Sequence, residues 1–194
     1  MALLLSSGVP ATAQSRSDCP TAADAQNGIR LTRASPLFDM TLQRRGSFVT
    51  EDRTMVRDGK RRRVKTTYLH GLIPTERREG RQVITQKLGN SQTSFVRNGR
   101  VRKWSSPIEI TVGNQAFGTG TVKLRPAGKA RWTGNGCSYD VTRVIVSTEI
   151  SGRPTSHFEY YYAPALGISL GGYSLGRDGR MRTSNILPER IARR

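Results

Sequence analysis

Two histidines, His70 and His157, and two cysteines, Cys19 and Cys137, are the side chains of this 194-residue sequence best suited to chemistry near neutral pH. Their spacing matches no zinc-ligand pattern. His157 and Glu159 stand two apart, so on a strand they share a face and could exchange protons with a substrate. They are more simply read as two surface residues near a turn. No GxxxxGK[ST], HExxH or CxxC occurs. No serine or cysteine has a partner base that its neighbours in sequence would supply. These residues point to a protein that is not an enzyme and that uses no cofactor and no metal.

The charge is more informative. The chain has 32 basic against 14 acidic residues, a formal net charge of +18. Residues 57–103 hold 14 of the basic residues and 3 acids. The densest run is Lys60-Arg61-Arg62-Arg63-Val64-Lys65. It follows an Asp58-Gly59 turn and therefore decorates a hairpin. Alternation puts Arg61, Arg63 and Lys65 on one side and Lys60 and Arg62 on the other. If the next strands are neighbours, Arg81, Lys87, Arg97, Arg100, Arg102 and Lys103 extend one positive surface. Such a surface attracts polyanions. For an exported protein these are anionic lipid, lipopolysaccharide phosphates or an acidic envelope protein. The plain alternative is a solvated face, since 26 of the 32 basic residues are Arg. Tyr68, Phe95 and Trp104 interleave with the charges as a base-stacking platform would need. No RNP-like or helix-turn-helix pattern accompanies them, so a cytoplasmic nucleic-acid-binding β module is the second reading.

A third candidate is aromatic. In Phe158-Glu159-Tyr160-Tyr161-Tyr162, alternation places Phe158, Tyr160 and Tyr162 on one face and Glu159 and Tyr161 on the other. Pro164 holds Ala163 extended, and Gly167 permits a left-handed turn. The stretch is either an aromatic-lined pocket or a core strand with an amphipathic Tyr at its rim.

Stepping from these residues to what must position them, the chain reads as all-β. After Gly28, period-2 alternation and turn dipeptides dominate. Strands are expected at 29–33, 38–44, 47–57, 62–72, 82–88, 92–97, 101–104, 108–112, 120–125, 130–133, 138–150, 155–163, 166–173 and 180–186. Turns at Asp58-Gly59, Glu79-Gly80, Gly89-Asn90, Asn98-Gly99, Ser151-Gly152 and Asp178-Gly179 make most connections hairpins. The expectation is an antiparallel meander forming a barrel or half-barrel, since sequential hairpins must bury one face and dispose of their edges. Residues 20–28 form a short N-terminal helical turn, with Thr21 placed to cap it and Asn27-Gly28 to end it.

The compartment follows from the N-terminus and the cysteines. A short apolar run leads to Ala11-Thr12-Ala13, whose small residues suit a signal peptidase. The first charge is Arg16, and a start upstream of Met1 would supply the missing basic region. Residues 1–13 are expected to be a cleaved signal peptide and 14–194 a single β-rich domain. In the periplasm Cys19 and Cys137 would pair.

The last sixty residues carry Cys137-Ser-Tyr139 before a long strand, the Ser151-Gly152 turn, and Phe158 to Gly167 before a final hairpin. This stretch resembles uncharacterised periplasmic β-rich proteins of Gram-negative bacteria. More distantly it is similar to the half-barrel lipoprotein carriers of the envelope. The likeness spans about a third of the chain and implies an exported half-barrel. Together these readings describe a non-enzymatic envelope protein, peripheral rather than transmembrane. It would bind an anionic or amphipathic partner, or serve as an accessory subunit of an envelope complex.

Overall fold

The structure, a computed structural model, describes residues 18–57, 59–89 and 94–194. The expected signal peptide lies outside the described residues, as do Asp58 and Asn90 of two expected turns and the start of the strand expected at 92–97. Apart from one short helix the described chain is built of antiparallel β-strands.

Helix α1 (Ala22–Asn27) leads into six successive strands: β1 (Ile29–Arg33), β2 (Phe38–Arg45), β3 (Phe48–Arg57), β4 (Lys60–Leu69), β5 (Ile73–Glu79) and β6 (Gln82–Leu88). A separate two-stranded hairpin follows, β7 (Val96–Arg97) and β8 (Arg100–Val101). The meander resumes with β9 (Trp104–Val112), β10 (Gln115–Gly134), β11 (Cys137–Ile150), β12 (Ser156–Ala163), β13 (Ile168–Leu175) and β14 (Met181–Ile186). The last strand, β15 (Arg190–Arg193), pairs with β1 instead of β14. The thirteen-stranded sheet thus runs β14-β13-β12-β11-β10-β9-β6-β5-β4-β3-β2-β1-β15. Only residues 187–189 separate its two edge strands. Four Cα steps span at most about 15 Å, so the sheet curls round until its edges approach. No ladder joins β14 to β15, and the barrel stays unclosed.

Three local devices hold the curl. The side chain of Asn135, in the β10–β11 turn, accepts from the Ile191 N–H at 2.7 Å and donates to the Ile191 carbonyl at 3.0 Å. This clasps the last strand against a hairpin 56 residues away in sequence. Cys19 and Cys137 form a disulfide with Cα atoms 5.5 Å apart. Beside it the Tyr139 hydroxyl donates to the Pro20 carbonyl at 2.7 Å. Six residues make too short a helix to persist alone. The bridge, the fully buried Ala25 and the Gln43 bond to the Gln26 carbonyl secure α1 on β2.

The interior has two apolar clusters. Ile29, Leu31, Phe38, Met40, Leu42 and Val49 meet Trp132, Val141, Ile168, Leu170 and Ile191 in the first. Leu69, Leu72, Ile73, Phe95, Ile108, Val122, Leu124, Val144 and Tyr162 make the second. Burying side chains of this kind stabilises by roughly 1.5–3 kcal/mol each.

The structure differs from the sequence expectation in several places, and β5 and β15 are strands that the sequence reading did not expect. The strand expected at 62–72 ends at Leu69, because His70 (φ 51°) and Gly71 (φ 69°) form a left-handed turn closed by Leu72 N–H to the Leu69 carbonyl, and β5 begins beyond it at Ile73. The pieces expected at 120–125 and 130–133 are one strand, in which the Pro126–Gly128 interruption is absorbed as a bulge. Similarly, 108–112 extends back through Pro107 to Trp104. Among the described residues no helix is long and apolar enough to cross a membrane.

Candidate functional site

On β3 alternation points Val49, Glu51 and Arg53 inward. Glu51 is 6% and Arg53 5% exposed, an ion pair inside the barrel. Arg53 Nε lies 3.3 Å from Glu51 Oε1, and the Tyr68 hydroxyl on β4 donates to Glu51 Oε2 at 3.2 Å. The pair is incompletely satisfied. Arg53 Nε, Glu51 Oε1 and the neighbouring Thr66 Oγ1 are buried and make no hydrogen bond. Each such group costs about 1–3 kcal/mol.

Beside the pair is a cavity of about 220 Å³. Met40, Leu42 and Val49 form one wall, Tyr68, Pro74 and Gly71 another, and Phe158 and Tyr160 stack across from them with ring centres 4.5 Å apart. Gly171 and Gly172 of β13 keep the remaining wall thin. The polar lining is Arg53, Thr66, Tyr68, Tyr160, Ser169 and, at the exposed side, Arg77. Glu51 itself does not line the cavity.

The electrostatics follow from burial. Loss of water pushes the Glu51 carboxyl above its ordinary range, and the Arg53 charge and the Tyr68 hydroxyl offset this only in part. Burial also raises the phenols of Tyr68 and Tyr160 well above their ordinary value, and the Glu51 charge adds to it. Both therefore stay protonated donors at neutral pH.

The aromatic corner stands beside this cavity. Phe158 and Tyr160 line it, while Tyr162 is buried in the second cluster. Pro164 to Gly167 form a tight turn, with the N–H groups of Leu166 and Gly167 donating to the Ala163 carbonyl and Gly167 at φ 70°. The opposite face is not wet, as alternation alone would suggest. Glu159 is 2% exposed. Arg143 donates to it at 2.6 and 3.2 Å, and the Tyr173 hydroxyl at 2.9 Å. Burial works to raise its carboxyl, but these bonds prevail and hold it below the ordinary range. His157 is engaged elsewhere, its Nδ1 lying 2.7 Å from Ser147 Oγ. The two residues do not form an acid–base pair. A GxSxG spelling, expected to be absent from the sequence, does occur at Gly172-Tyr173-Ser174-Leu175-Gly176. Its first four residues lie in β13, paired to β12 and β14, and its serine is not at the strand-to-helix turn a nucleophile elbow needs.

The basic residues separate into two groups. Lys60, Arg61, Arg62, Arg63 and Lys65 lie at the start of β4, and Arg81 beyond the β5–β6 turn is at the same end. Arg97, Arg100, Arg102 and Lys103 sit on and after the β7–β8 hairpin, with Lys87 near the end of β6. That hairpin covers the opposite end: Phe95 packs edge-on to His70 at 4.9 Å, next to the second core. Arg61 and Leu69 are eight strand positions apart, about 27 Å. The first group is compensated in part. Arg63 and Lys65 reach Asp52 at 2.6 and 3.9 Å, and Arg62 reaches Glu79 at 3.2 Å. Lys87 reaches Glu109 at 3.8 Å. Among the described residues Arg97, Arg100, Arg102 and Lys103 are exposed and have no ion pair.

The sequence reading missed Glu51 and Arg53. A signal was available, since both share the parity of Val49, but charges so placed read as a solvated face. Among the described residues no three His, Cys, Asp or Glu side chains group to hold a metal.

No family model matches the chain, and no curated protein matches it. Among solved structures the chain is similar to the hypothetical lipoprotein YmcC from Escherichia coli K12, with 10% identity, a TM-score of 0.49 and coverage of 84% of this chain and 81% of that one.

Proposed function

We propose that this chain is an exported protein of the cell envelope that binds an amphipathic molecule inside its barrel without transforming it. The observation that carries this reading is the cavity of about 220 Å³, apolar and aromatic on most sides, with an incompletely bonded buried arginine in its wall. A ligand that brings both an apolar body and a polar head would fill the space and satisfy the orphaned groups. The size limits what it can be. An apolar cavity of about 150 Å³ holds benzene, and drug-sized ligands occupy about 300–1,000 Å³. The fit is to a small amphiphile or the end of one chain, not to a whole phospholipid. Export is supported by the small-residue cleavage pattern at 11–13 and by the Cys19–Cys137 bridge. The unpaired arginines of the β7–β8 hairpin would hold the protein to anionic lipid or an acidic envelope partner.

The test is purification from the native host, N-terminal sequencing, and mass spectrometry of an organic extract. The expected result is Gln14 at the N-terminus and about one small amphiphile per chain. A chain that starts at Met1 or Ala2, or that carries nothing and binds none of a panel of amphiphiles, would overturn the proposal.

A further inference from the structure

We infer that the amphiphile is a small monocarboxylate, seated with its carboxylate inside the barrel at Arg53 and its apolar body against Phe158 and Tyr160. The inference rests on the cavity being a binding site and specifies what the site selects. Every polar side chain in the cavity wall is a hydrogen-bond donor: Arg53, Arg77, Thr66, Tyr68, Tyr160 and Ser169. No acid lines it.

These donors differ in what they have left to give. The Tyr68 hydroxyl is engaged by Glu51, Ser169 Oγ by the Gly171 carbonyl at 3.0 Å, and Arg77 by Glu79 at 2.9 Å. Arg53 Nε and Thr66 Oγ1 are buried without a hydrogen bond, and the Tyr160 hydroxyl lines the same space. Three incompletely bonded polar groups on β3, β4 and β12, one of them an arginine held only by its ion pair to Glu51, therefore surround one small volume. A group that only accepts, and accepts several bonds at once, satisfies them together. A carboxylate does so and also matches the planar guanidinium. An ammonium would add a third cation to Arg53 and Arg77 with no carboxylate in the wall to offset it, and an alcohol could accept from only some of the donors. Because Arg53 and Thr66 are nine-tenths or more buried, the head must enter the barrel and not stop at its rim.

Calorimetric titration of protein stripped of bound lipid tests this, with octanoate, phenylacetate, octanol and octylamine as probes. Octanoate and phenylacetate should bind one per chain, octanol at least tenfold more weakly, and octylamine not at all. Arg53→Met alone would leave Glu51 buried and unpaired, so the informative variant is Glu51→Leu with Arg53→Met, its folding checked by circular dichroism. It should lose at least tenfold in octanoate affinity and keep its octanol affinity. Tyr160→Phe removes one hydroxyl and no charge, and should weaken octanoate binding several-fold without altering octanol. If octanol binds as tightly as octanoate, or both variants keep full octanoate affinity, the carboxylate assignment fails while the cavity remains a binding site. If no probe binds, both readings fail.

Discussion

A guanidinium buried against a carboxylate, as Arg53 is against Glu51, loses hydration that their attraction returns only in part. Removing one member leaves a lone charge in a low-dielectric interior. Removing both leaves an apolar wall. Glu51→Ala should therefore destabilise by roughly 3–5 kcal/mol, whereas Glu51→Leu with Arg53→Met should fall within about 1 kcal/mol of the parent, or above it. Urea denaturation of the three proteins measures this. Glu159 offers a contrast with the sign worked out. Its carboxyl is held below its ordinary 4.5, so its contribution is present above that pH and is lost as pH falls through the depressed value. Because Arg143 is 40% exposed, screening reduces the gain to about 1 kcal/mol. The stability gap between the parent and Glu159→Gln should be open at pH 7 and close below pH 4.5 in denaturation curves. Glu51 titrates the other way: its raised value means its contribution is fullest below the ordinary 4.5 and falls as pH rises through the folded value.

At the scale of single elements, two hairpins separate roles that the sequence merges. The β3–β4 hairpin carries the densest basic run, yet Arg62 and Arg63 face Glu79 and Asp52. Reversing Arg62 and Arg63 to Glu should set like charges side by side across the ladder and lower the melting temperature. The β7–β8 hairpin bears arginines without ion pairs and is anchored separately, through Phe95. Reversing Arg97, Arg100 and Arg102 to Glu should leave the melting temperature within a degree or two and abolish co-sedimentation with vesicles containing anionic lipid. Unchanged co-sedimentation would leave the hairpin as solvated surface only. The β4–β5 turn is the element least legible in sequence. His70 occupies a left-handed position usually signalled by Asn or Asp, and Pro74 follows, so a connection closed by His-Gly looked like the tail of one strand. Gly71 also faces the β13 backbone, where an added Cβ would lie 3.3 Å from the Ser169 nitrogen.

For the whole molecule, the Cys19–Cys137 bridge has the longest reach of any covalent constraint, closing a loop of 118 residues. In the chain-entropy account such a loop restrains the unfolded state by about 4–5 kcal/mol, less any native strain. Cys19→Ser or Cys137→Ser should thus lower stability by roughly 2–5 kcal/mol. Reduction of the parent should reproduce the loss, and alkylation of the unfolded, unreduced protein should find no free thiol. The bridge ties the segment before β1 to the start of β11, while Asn135 ties β15 to the adjoining turn. The segment before β1 and the last strand are thereby fastened to the same hairpin, which helps bring the edges of the open sheet together.

Strand parity, hairpin turns and the two cysteines are local or pairwise features. They are enough to specify an all-β antiparallel meander, a short capped helix at its start, and the shared face of Phe158 and Tyr160. The cavity depends on something else. Its walls come from β2, β3, β4, β5, β12 and β13, at opposite ends of the chain. Alternation says which side of a strand is buried, but not which strand lies across the lumen. That is set by how far the sheet curls, which in turn depends on β15, a four-residue strand with one apolar anchor, Ile191, returning to β1. Nor can parity tell an inward charge from an outward one. Glu51 and Arg53 point inward because Val49 must be buried, and only the folded sheet decides that they meet each other there, beside an apolar space.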